Sequence, residues 1–94
     1  MVKHIVLYTL AEGVDKEAAV ELIATQLESL VGKIEGLNWM EVNPAYQGGM
    51  DYALYSEFDS PEALEAYQKH PLHLAAKETF HHLIGSRYCA DYEY

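Results

Sequence analysis

The chain has 94 residues, half of them apolar, with 15 acidic side chains against 6 basic ones and a formal net charge of −9. That length holds one domain, residues 1–94, because domains run to about 100–150 residues and one this small hides only about 60–65% of its unfolded surface. Lys3, Lys16, Lys33, Lys69, Lys77 and Arg87 are scattered rather than clustered, which excludes nucleic acid, and the acidic surplus repels an anionic membrane surface.

Val2 to Leu10 reads as a strand with His4, Val6, Tyr8 and Leu10 on one face and Ile5, Leu7 and Thr9 on the other. Both faces are largely apolar, so neither is marked as wet. Asp15 to Ile34 carries the strongest helical pattern. Val20, Ile23, Leu27, Leu30, Val31 and Ile34 recur at three- and four-residue spacing, while Glu17, Glu21 and Glu28 fall off the stripe. Asp15 suits the N-cap and Gly36 the residue past the end. Leu37 to Asn43 is a short strand, and a turn through Pro44 and Gly48-Gly49 leads to a third strand at Asp51 to Phe58.

Ser60-Pro61-Glu62 is a helix start, with serine as cap, proline in the first turn and an acid beside the positive helix end. That helix stops near Lys69, because the residue before Pro71 avoids helical angles. A new helix begins at Pro71 and ends at Gly85, and Arg87 to Glu93 is the last strand. The order is βαββαβ: a ferredoxin-like α+β unit with one antiparallel four-stranded sheet and helices on one face.

The other sheet face then gathers Val6, Tyr8, Leu10, Tyr52, Leu54, Tyr88, Ala90 and Tyr92. An apolar patch of that kind marks an interface or a ligand site, and an isologous homodimer is the commonest cover. The space between two such sheets is an apolar cavity with Val6, Tyr8 and Leu54 as walls, fit for a small apolar or aromatic ligand. No leader or membrane span is read in the opening residues: Ile5 to Leu10 is far short of the roughly 20 residues that cross a bilayer. The lone Cys89 suits a reducing, cytoplasmic setting.

One constellation carries chemistry. Tyr67, His70 and His73 flank the Pro71 break, and His4 is expected to point from the first strand to the cavity face. A helix start disfavours imidazolium, so His73 there is expected neutral, as a general base must be near pH 7. Tyr67 supplies a hydroxyl to polarise a carbonyl, and His4 and His70 are expected to contact substrate. The bland alternatives are Tyr67 as core, His70 as a helix cap and His4 as a polar residue satisfied within the sheet. His4, His70 and His73 as metal ligands is a weak reading without paired cysteines, so no metal and no cofactor is expected. No serine-hydrolase elbow or nucleotide-binding glycine motif is present.

The opening Val2-Lys3-His4-Ile5-Val6-Leu7, the run from Phe58 through Ser60-Pro61-Glu62 to Tyr67, His70-Pro71-Leu72-His73 and the closing Asp91-Tyr92-Glu93 together resemble the stress-responsive A/B barrel domain family. The likeness covers nearly the whole chain. It implies a ferredoxin-like protomer forming a dimeric α+β barrel. Most members have no established activity, but the family includes a plant polyketide cyclase, olivetolic acid cyclase, which closes its substrate by aldol condensation. That resemblance implies an acid–base pair at Tyr67 and His73, with His4 in the same pocket. Two alternatives stand beside a cyclase-like reaction: a cofactor-independent monooxygenase of the antibiotic-biosynthesis type, and a non-enzymatic stress or structural protein.

Overall fold

A computed structural model describes residues 1–94. Strand β1 (Val2–Leu10) leads to helix α1 (Lys16–Glu28), strands β2 (Leu37–Pro44) and β3 (Tyr52–Phe58), helices α2 (Pro61–Lys69) and α3 (Pro71–Glu78), one 3₁₀ turn (His81–Leu83) and β4 (Ile84–Glu93). The sheet order is β2-β3-β1-β4 and every neighbouring pair is antiparallel. This is the expected ferredoxin-like arrangement. No helix is long and apolar enough to cross a membrane.

Two boundaries moved for identifiable reasons. The apolar stripe of α1 continues through Leu30 and Ile34, both buried, but the helix ends at Glu28. Gly32 takes a positive φ of 89°, so the chain leaves the helix four residues before Gly36 and carries the stripe into turns. Gly85 does not close a helix. It lies at the start of β4, where an added Cβ would meet Thr9 Oγ1 at 2.8 Å and the Leu10 carbonyl oxygen at 3.0 Å. The register between β1 and β4 shifts at this point, between Tyr8 and Leu10.

The sheet face assignment is the main correction. Directly paired residues share a face, and β1 sets Val2 against Phe58, His4 against Ser56, Val6 against Leu54 and Tyr8 against Tyr52. Val2, Val6, Tyr52, Leu54 and Phe58 are buried in one cluster with Ile23, Leu27, Leu64 and Tyr67 from the helices. The set expected on the open face, Val6, Tyr8, Leu10, Tyr52 and Leu54, therefore packs beneath the helices. Of the expected patch only Tyr88, Ala90 and Tyr92 lie on the open side, paired with Leu7, Ile5 and Lys3. Period-two alternation separates two sets on a strand but cannot say which is inward when both are apolar.

The turn at Gly36 gives a stability prediction. Gly36 has φ +86°, and a Cβ there would sit 2.7 Å from the Cβ of Ala63 in the first turn of α2, whereas a Cβ at Gly32 meets nothing within 4 Å. Both positions charge a non-glycine residue about 1–2 kcal/mol for the left-handed backbone. Gly36→Ala should lower urea-unfolding stability by about 1 kcal/mol more than Gly32→Ala, because only Gly36 adds a clash. Equal losses would show that the Gly36–Ala63 approach is not constraining.

Candidate active site

The break between α2 and α3 builds the site. Ser60 caps α2 by accepting from Ala63 N at 3.1 Å. His70 ends α2 with an extended backbone (ψ 135°) and starts α3, its Nδ1 accepting from Leu72 N at 3.0 Å. That cap, with Pro71 in the first helical turn, places His73 on the inner side of α3, one turn from Lys77.

His73 stacks on Tyr67, with ring centroids 4.1 Å apart and planes inclined by 26°. Phe58 stands 5.0 Å behind Tyr67 and meets the His4 ring edge-on at 6.2 Å. These rings line or back a cleft of about 150 Å³ between the sheet and the helices, bounded by His4, Tyr8, Leu54, Tyr67, His73 and Phe80 among others. The cleft thus lies under the helices of one protomer rather than between two sheets.

His4, Tyr8, Leu54, Tyr67 and His73 are brought together. Val6 is fully buried in the core behind them. His70 stands apart, in a shallow groove with Gly36, Asp59 and Ala63, and its imidazole is engaged as the helix cap. The three histidines His4, His70 and His73 accordingly do not gather as metal ligands. A different trio, His4 Nδ1, Cys89 Sγ and Asp91 Oδ1, has donor atoms all within 4.8 Å of one another. The His4–Asp91 hydrogen bond already occupies two of those three atoms.

That bond orients His4. An ionised carboxylate can only accept, so Nδ1 carries the hydrogen, and in the neutral ring Nε2 is left as an acceptor. His4 is 5% exposed, which makes this cross-strand pair a fixed part of the cleft wall.

Titration behaviour follows burial. The pKa of His73 lies below the ordinary histidine value, first because burial disfavours the charged ring, then because Lys77 and His4 are nearby; the backbone of Gln68 and Tyr67 pulls the other way. Its Nδ1 is buried without a hydrogen-bond partner. The direction is the one expected from the helix start, but desolvation is the leading cause. Burial raises the phenols of Tyr67 and Tyr8, with Arg87 partly opposing the rise at Tyr8. A neutral imidazole against a protonated phenol can remove one proton and donate another.

Sequence reasoning missed Gln68, Lys77, Arg87 and Asp91. The spacing of Lys77 four residues after His73 was a usable signal for one helix face. Arg87 and Asp91 depend on the β1–β4 register, which no local pattern carries. A larger groove of about 670 Å³ runs between α1 and β2 past Val20, Val42 and Pro44, but it is open and gathers no histidine or tyrosine.

The family model for the stress responsive A/B barrel domain matches residues 2–94. The chain belongs to this family. An uncharacterised protein of Streptomyces coelicolor is 30% identical over the full length of both chains. Among solved structures, a dimeric ferredoxin-like protein of unknown function from Bacteroides fragilis is 36% identical, covers 99% of this chain and 95% of its own, and superposes with a TM-score of 0.88. A dimeric ferredoxin-like protein from Thermobifida fusca is 26% identical, with coverage of 97% and 88% and a TM-score of 0.82. An Arabidopsis thaliana protein is 26% identical, with coverage of 99% and 94% and a TM-score of 0.85. These similar proteins share an architecture with this A/B barrel domain; what the cleft does has to be argued from its own residues.

Proposed function

We propose that this A/B barrel domain binds a small apolar or aromatic molecule in the cleft and that Tyr67 and His73 perform acid–base chemistry on a carbonyl compound there. The observation that carries this reading is the Tyr67–His73 stack, with an imidazole held neutral by burial at the wall of a cleft. In the proposed step the imidazole takes a proton from the carbon next to a carbonyl, and the Tyr67 hydroxyl donates a hydrogen bond to the enolate oxygen that forms. A cyclase-like carbon–carbon closure needs that same enolate.

The dimeric state of the Bacteroides and Thermobifida relatives supports a homodimer here, through the open sheet face. Leu7, Tyr88 and Tyr92 remain 40%, 66% and 47% exposed in the single chain. The lone free Cys89 supports a reducing compartment such as the cytoplasm.

Acetophenone, one ring with an exchangeable methyl group beside a carbonyl, tests the chemistry. Protein in D₂O should speed deuterium uptake at the methyl, and His73→Gln should lose about 100-fold or more of that rate, the usual contribution of a positioned base. The rate should fall on the acid side with an apparent pKa below the ordinary histidine value of 6.5, because only the neutral ring accepts a proton. Equal rates for wild type and His73→Gln would reject the acid–base role. Absence of any shift in the His73 ring NMR signals would reject binding in the cleft.

A further inference from the structure

We infer that the ligand of this cleft is a compact aromatic carboxylate, with its ring against Tyr8, Tyr67 and Phe80 and its charge held between Arg87 on β4 and Lys77 on α3. This rests on the ligand-binding reading above and adds the charge and size of what is bound.

The chain carries 15 acids and only 6 bases, yet no acid lines the cleft, whereas two of the six bases do. The other cations are mostly engaged: Lys69 pairs with Glu65 at 3.1 Å, Lys16 donates to the Ala45 carbonyl at 2.8 Å and Lys3 lies over the Tyr94 ring at 4.6 Å. Lys77 and Arg87 have no carboxylate partner. The nearby acid on β4, Asp91, is bound to His4.

In a protein of net charge −9, a cation left without an acid is poised for an anion from outside. Placement fits the same purpose. Arg87 pairs across the sheet with Tyr8, and its guanidinium carbon stands 5.9 Å from the Tyr8 ring; its neighbours there are the Tyr8 hydroxyl and the Cys89 thiol, both uncharged, and its planar fork has five donors with which to add a carboxylate. Lys77 approaches from the helix wall, near enough to help depress His73. Gln68 adds a side-chain amide to the lining. A volume of about 150 Å³ admits a single ring with a small polar group and excludes a nucleotide or a long acyl chain.

Benzoate and its neutral analogue benzamide separate charge from shape. Their dissociation constants are measured by NMR titration, following the ring signals of His73 and Tyr67, at neutral pH and low salt. Benzoate is expected to bind about tenfold or more tightly than benzamide, the worth of one charge-assisted hydrogen bond. Arg87→Gln and Lys77→Gln should each weaken benzoate about tenfold and leave benzamide within about twofold. If the two probes bind the cleft equally, the charge inference is overturned while ligand binding stands. If benzoate is preferred but neither variant changes its affinity, the assignment to Arg87 and Lys77 is overturned. If neither probe moves the His73 and Tyr67 signals, both the inference and the binding reading fail.

Discussion

Phe58→Ala should cost about 3–5 kcal/mol of folding stability, measured by urea unfolding, the usual range for removing a fully buried phenylalanine. A domain of this length has only about 5–14 kcal/mol in total, so the variant is expected to lose much of its margin. Phe58 is 0% exposed and touches both halves of the site: its ring stands 5.0 Å from Tyr67 and 6.2 Å from His4. It pairs with Val2 on β1 and Leu37 on β2, so the cavity left by truncation opens where the ends of three strands meet in the core. Phe58→Leu keeps most of the volume, should cost about 1.5 kcal/mol or less and stays folded. In that variant acetophenone exchange is expected to fall, because Tyr67 loses its aromatic backing. A loss under about 1 kcal/mol for Phe58→Ala would show that the core does not rest on this ring.

Leu7→Lys should turn the proposed dimer into a monomer, read as a halved mass by light scattering. Leu7 lies on the open sheet face with Tyr88 as its direct partner on β4 and Ala53 on β3. In an isologous interface one substitution appears twice. Each buried, unpaired ammonium costs a few kcal/mol, so the dissociation constant should rise about a thousandfold or more. Leu7→Met, which keeps the apolar surface, should remain dimeric. A wild-type monomer at micromolar concentration would overturn the dimer, and a Leu7→Lys protein that stays a dimer would place the interface elsewhere. The cleft lies beneath the helices of a single chain, so the monomer is expected to keep its ligand, and loss of dimerisation and loss of binding are separable.

Much of this was legible in the residues, and the failures have a common physical origin. Ser60-Pro61 and His70-Pro71 mark helix boundaries by local chemistry, and both act where expected: Ser60 accepts from Ala63 N and His70 from Leu72 N. The βαββαβ order follows from such local signals and from periodicity, and it sufficed for the ferredoxin-like fold. The inward face of β1 was not local information. His4, Val6 and Tyr8 form one apolar set and Ile5 and Leu7 another, and only packing against α1, α2 and α3 chooses between them. The pocket was displaced with that choice, from the space between two sheets to the space under the helices. Arg87 and Asp91 were invisible for a related reason: their place beside Tyr8 and His4 depends on the β1–β4 pairing, which joins residues more than 70 positions apart. Gly32 ended α1 early because a left-handed glycine is as good a stop as the Gly36 that sequence favoured.

The central place of β1 in the sheet has a kinetic consequence. As the first strand made during translation, β1 has neither neighbour available: β3 must be synthesised before one side can pair, and β4 before the other. Long-range closures of this kind are slow steps, and exposed strand edges are vulnerable while they wait. His4 gains Asp91, and Tyr8 gains Arg87, only when β4 docks. On a ribosome-bound chain still lacking β4, the cleft would have its helical wall and aromatic floor but no guanidinium, so competence to hold an anion would be among the last properties the nascent protein acquires.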